Sequence, residues 1–136
     1  MVREIVKDVM FLSQKSEPAS KADLGIAKDL QDTLAAHRNE CVGMAANMIG
    51  YKKNIIIVSL GIADLVMLNP AIIKRSEPYG TEEGCLSLTG TRKTTRYQKI
   101  TVKYQDLQFK THTQDFAGWT AQIIQHECDH LEGRII

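Results

Sequence analysis

The chain has 136 residues, of which 17 are basic and 16 acidic, for a net charge of +1. That length suits one domain, spanning 1–136, around one core, and 43% apolar with 24% charged residues excludes disordered, collagen-like and disulfide-scaffold classes. A charge this close to balance supplies no field that would draw nucleic acid or an anionic membrane, so neither partner is expected.

The segment from Met1 to Pro18 has loosely spaced apolar residues and reads as a lead-in turn of helix followed by a loop. Charges interrupt its first residues, so it lacks the apolar stretch of a signal peptide. Ser20, with Asp23 three residues on, caps a helix expected over Lys21 to Arg38, whose stripe is Leu24, Ala27, Leu30 and Leu34. Asn54 to Leu60 is dense in β-branched residues, and a second apolar run, Leu65 to Leu68, ends at Asn69-Pro70; two neighbouring strands are predicted. The longest apolar run mid-chain, Ile55 to Val58, is four residues, far short of a membrane span. Thr81 to Ser87 reads as loop or edge strand. Ile100, Val102 and Tyr104 alternate as a strand, and a turn at Gln105-Asp106 leads to a partner around Phe109 to Gln114. The last element is a helix capped by Asp115 and ended near Gly133. Three cysteines, Cys41, Cys85 and Cys128, are an odd set at irregular spacing, which fits a reducing compartment; the cytoplasm is expected.

The terminal helix carries His126-Glu127-Cys128-Asp129-His130, an H-E-x-x-H run. Helical residues four apart share a face, so both imidazoles reach one ion while Glu127 stands beside it as a base. A catalytic transition metal takes a third protein ligand and leaves a position open. Only six residues follow His130, so the third ligand comes from upstream, among His37, His112, the carboxylates and the cysteines. Cys85 stands out because Gly84 before it permits close backbone approach, although on spacing alone a lone cysteine reads rather as a small buried hydrophobe. Cys128 points away from the two histidines by helical geometry, and His37 and His112 read as surface residues.

Glu83-Gly84-Cys85-Leu86-Ser87 and Gln125-His126-Glu127-Cys128-Asp129-His130-Leu131-Glu132-Gly133 resemble the second and third signature motifs of the peptide deformylases, in the right order. Leu68-Asn69-Pro70 fits a further family segment, and Arg96 falls where members carry an arginine after the cysteine loop. The first signature, G-x-G-L-A-A-x-Q, is matched incompletely by Cys41 to Met48, with Cys41 at the first glycine and Met48 at the glutamine. The resemblance implies an α+β fold with small antiparallel or mixed sheets packed around the C-terminal HExxH helix, plus an N-terminal helix. It implies that Cys85, His126 and His130 ligate one divalent metal, natively Fe(II), with zinc, nickel or cobalt able to occupy the site. Thiolate ligation of Fe(II) brings sensitivity to oxygen and peroxide.

The implied reaction is hydrolytic removal of the formyl group from N-terminal formyl-methionine of nascent peptides, with release of formate. Glu127 handles the proton, and the oxyanion is met by the metal, the Leu86 backbone N–H and the glutamine amide. Met48 has no donor to offer, so reduced activity is expected, and Asn47, pointing to the other side of an extended chain, is a poor substitute. Val42, Gly43, Met48, Gly84, Trp119, Gln122 and Ile123 are expected to contact substrate, Gly43 and Gly84 by letting the peptide pair along a strand edge. Taken as helix-face apolar residues, Trp119 and Ile123 read better as core. Asp129 is either a helix-end charge or a partner that fixes its neighbours. Alternatives are an amidase for another N-acyl substrate or a weakly active metal- and peptide-binding homologue. Proximity to the ribosome is at most transient.

Overall fold

The computed structural model describes residues 1–85 and 87–135, and the backbone alone of Leu88. Five strands, β1 (Gly43–Ala45), β2 (Ile55–Ser59), β3 (Asp64–Cys85), β4 (Leu88–Gln105) and β5 (Thr111–Ala117), pair in chain order as one antiparallel sheet. Short connections between successive strands favour this hairpin-like arrangement, since parallel pairing would need long crossovers. Among the described residues three α-helices accompany the sheet: α1 (Val9–Leu12), α2 (Leu24–Ala36) and the C-terminal α3 (Gly118–Leu131). The expected α+β class holds, with the strands gathered into one sheet rather than several. Among the described residues, no helix is long and apolar enough to cross a membrane.

The β-branched run Ile55 to Val58 is 0% exposed at every position. Successive side chains of a strand face opposite sides, so both faces of β2 are covered. α2 and α3 both pack against β1 and β2 and bury Leu30, Leu34 and Ile124 with them. The first turn of the helical segment is a 3₁₀ turn, Lys21–Asp23, where the Asp23 carboxylate accepts the Ser20 backbone N–H at 2.9 Å.

Two local expectations are corrected. Asp115 does not cap α3: it lies in β5 opposite Thr101, accepts that hydroxyl at 2.6 Å, and the helix begins at Gly118 instead. Asn69-Pro70 does not end a strand, because the register slips between Leu68 and Ala71 and the strand continues. A bulge takes up the missing Pro70 donor, and Asn69, at φ 51°, clasps the backbone of Ala19 with both ends of its amide. Of the two readings of Thr81 to Ser87, the edge strand holds for Thr81 to Cys85: this end of β3 pairs with β4 alone. Gly133, at φ 77°, follows the last turn of α3, and a Cβ there would collide with Ser13 O.

Candidate metal centre and cavity

α3 presents His126 and His130 side by side, ring centroids 4.8 Å apart and Nε2 to Nε2 3.1 Å. The far end of β3 brings in Cys85, whose Sγ lies 3.2 Å from His130 Nε2. The three donor atoms all fall within 4.8 Å of one another. One sulfur and two imidazole nitrogens facing a common point are a donor set that suits a first-row divalent metal. His37, His112 and Cys128 are not in the group. His112 is paired instead with Asp106, and Cys128 packs against the core.

Each imidazole is supported differently. Glu83, two residues before Cys85 on β3, stands 2.8 Å from His126 Nδ1, which leaves Nε2 turned toward the common point. Arg96, on β4 and 3% exposed, holds the same carboxylate through Nε and Nη2, the latter at 2.7 Å, and reaches Asp129 with Nη1 at 2.6 Å. Gln122 adds a further donor to Glu83 at 2.9 Å. Burial alone would raise the Glu83 pKa, but hydrogen bonds from His126, Arg96 and Gln122 outweigh it and bring it down to about 2. Asp129 thus fixes its neighbours through Arg96 and also accepts from Arg134 at 3.1 Å. Burial likewise opposes charge on His126, yet Cys85 and Glu83 raise its pKa; His130 is driven down to about 3, first by burial and then by His126.

Glu127 lies beside the histidines, 5% exposed, with Oε1 lacking a hydrogen-bond partner among the described residues. Burial pushes its carboxyl up to about 7, the range in which a group both takes and returns a proton at neutral pH. Gly43 makes room for it: a Cβ there would sit 2.7 Å from Ile123 Cγ2 and 3.0 Å from Glu127 Oε2.

A cavity of about 450 Å³ opens over these groups. Val42, Gly43, Met48, Gly84, Trp119, Gln122 and Ile123 all line it, together with Cys85, His126 and Glu127. Trp119 is not core: it is 62% exposed at the cavity, whereas Ile123 belongs both to the core and to the wall. Met48 is 1% exposed and bends back so that its sulfur accepts the Ala45 N–H at 3.4 Å. Asn47 points away from the cavity and donates from Nδ2 to His130 O at 2.9 Å. Leu86 lies outside the described residues.

Sequence reasoning assigned no role to Glu83, although a signal was present. In a strand, residues two apart share a face, so Glu-x-Cys puts a carboxylate behind the thiol, and a ligating imidazole needs a partner for its second nitrogen.

The sequence model for the polypeptide deformylase family matches residues 2–136. A peptide deformylase of Clostridium beijerinckii is 55% identical over 136 residues, covering 100% of both chains. Peptide deformylase 3 of Shewanella oneidensis is 35% identical over 130 residues, 91% of this chain and 79% of its own. Among solved structures, the Met-Ala-Ser-bound class I type b peptide deformylase of Acinetobacter baumannii superposes with a TM-score of 0.88 at 32% identity, over 98% of this chain and 96% of that one. Full-length agreement in sequence and in backbone makes this chain a member of the peptide deformylase family, metal-dependent hydrolases that act on N-formyl peptides.

Proposed function

We propose that this chain, acting as one domain over 1–136, removes the formyl group from N-terminal formyl-methionine of nascent peptides, with Cys85, His126 and His130 holding the metal. The carrying observation is the convergence of three donor atoms within 4.8 Å beside a buried, unpartnered Glu127 oxygen. When bound there, a divalent cation supplies Lewis acidity that polarises the formyl carbonyl and acidifies water. Fe(II) is the proposed native ion, with zinc, nickel or cobalt as substitutes; the ligand types suit all four.

Glu127 takes the proton from the attacking water at Oε1 and returns it to the amine nitrogen as the C–N bond breaks, leaving formate and a free N-terminus. Val42, Trp119, Gln122 and Ile123 form the wall against which the unbranched methionine side chain rests. β1 is an edge of the sheet that offers its backbone to a peptide, and Gly43 on it leaves room for Glu127. The Leu86 backbone N–H is the proposed oxyanion donor. Met48 gives no hydrogen bond to the substrate, since a thioether cannot donate. Losing one such donor costs about 10²–10³ in turnover elsewhere, so Met48→Gln should raise the rate. The reading places the enzyme in the cytoplasm, where its substrates emerge from ribosomes.

The test is anaerobic purification with metal analysis, then formate release from formyl-Met-Ala-Ser by wild type, Glu127→Ala and Met48→Gln. Formate from wild type, with a loss of about 10²–10⁴ in Glu127→Ala, is expected. Bound metal without formate would leave a metal- and peptide-binding homologue, and equal formate from all three proteins would trace the activity to a contaminant.

A further inference from the structure

We infer that Asn47 is the positioning residue for His130: its Oδ1 accepts from one water that in turn accepts the His130 Nδ1–H, and this fixes the tautomer that turns Nε2 toward Cys85 and His126. The inference rests on the metal reading above. Both residues are 0% exposed, and the Asn47 side chain already holds the His130 backbone, with Nδ2 donating to His130 O at 2.9 Å. Asn47 Oδ1 and His130 Nδ1 are each buried without a partner among the described residues. One is an acceptor, and the other becomes a donor in the tautomer that frees Nε2. A buried polar group left unmet is destabilising, so bridging the two is the arrangement that burial favours.

Ser16 supports the same corner. Its backbone N–H donates to Leu131 O at 2.8 Å, one residue along from the carbonyl that Asn47 holds, and its buried Oγ likewise has no partner among the described residues. A water bridging Asn47 Oδ1 and His130 Nδ1 would have a hydroxyl from the adjoining strap of chain to complete its bonds. The two imidazoles would then be served by opposite chemistries, His126 by the Glu83 carboxylate and His130 by a neutral amide. The turn Ala46–Ile49 would contribute Asn47 behind the site and Met48 to the cavity wall.

The test uses Asn47→Ala, which removes the acceptor, and Asn47→Asp, which keeps it while removing the Nδ2 donor to His130 O. Two readouts are taken: zinc affinity by chelator competition, and the His130 tautomer in the metal-free protein from ¹⁵N shifts of the ring. Expected are a 10–100-fold weaker zinc affinity and a mixed tautomer in Asn47→Ala, with affinity within about threefold of wild type and an unmixed Nδ1–H tautomer in Asn47→Asp. Unchanged affinity and tautomer in Asn47→Ala would overturn the inference. So would equal losses in both variants, which would mark Asn47 as a mere tether for the His130 carbonyl. If Asn47→Ala does not fold, the tautomer in Asn47→Asp decides alone. A wild type that binds no zinc would overturn the metal reading, and the metal-free spectra would still decide the Asn47 contact.

Discussion

The helix α3 and the tip of the β3–β4 hairpin meet at the metal centre from very different surroundings. α3 brings His126 and His130, 8% and 0% exposed, on a face packed against β1, β2 and β4. The hairpin brings Cys85, half-buried, at the end of strands whose middle stretches lie largely in solvent. Two ligands are therefore set by the core, and the third is held where β3 is tied to α3 by one buried group of charges: Glu83, Arg96 and Asp129. The joint between the two regions is electrostatic, and the frame on the helix side is apolar.

Arg96→Leu attacks that joint. It leaves the Glu83 carboxylate buried without its cation and takes from Asp129 one of its two arginines, and breaking a buried pair in this way costs about 3–5 kcal/mol. Urea unfolding should show the loss, and metal affinity should fall with it; an unchanged midpoint would mean the hairpin is held by packing alone.

Gly43→Ala tests the helix side. The added methyl presses on Ile123 and Glu127, an overpacking expected to cost about 1–3 kcal/mol. Because Glu127 is displaced while the three ligands are not, formate release should drop far more than metal content, and parallel losses of both would refute the assignment.

The cysteines, all three half-buried, differ in their surroundings. Burial pushes the Cys128 thiol up to about 12 and the Cys41 thiol up to about 11, so both hold little thiolate at neutral pH. Brief iodoacetamide treatment of metal-free protein followed by mass spectrometry should therefore find Cys85 alkylated first, and bound metal should protect it.

The smallest effect lies at the mouth of the cavity, where Arg38 grips Asp64 bidentately at 2.6 and 2.8 Å. The Arg38 guanidinium lowers the Asp64 pKa. A carboxylate lowered on folding stabilises above its unfolded pKa, near 4, and that stability is lost as pH falls through the folded value. Arg38 is solvent-exposed, so the effect is small and screened. Between pH 5 and pH 3 the unfolding midpoint of Arg38→Gln should decline slightly less than that of wild type.

The sequence by itself determined what depends on spacing along one element. Four residues along a helix bring two imidazoles together whatever surrounds it, and alternation in a strand makes Glu83 and Cys85 neighbours, although only the cysteine was read from the pattern. Resemblance to the deformylase motifs added the link between those two stretches. Tertiary structure decided the rest: the Arg96 bridge from Glu83 to Asp129, the close approach of Gly43 to Glu127, the exposure of Trp119, and the Asn47–His130 contact across 83 positions. It also carried β3 through Pro70 and placed Asp115 in a strand, because cross-strand pairing outweighs the local preference of a proline or a capping residue. Periodicity is written in neighbouring residues, while a buried charge or amide finds its partner only once distant segments have packed.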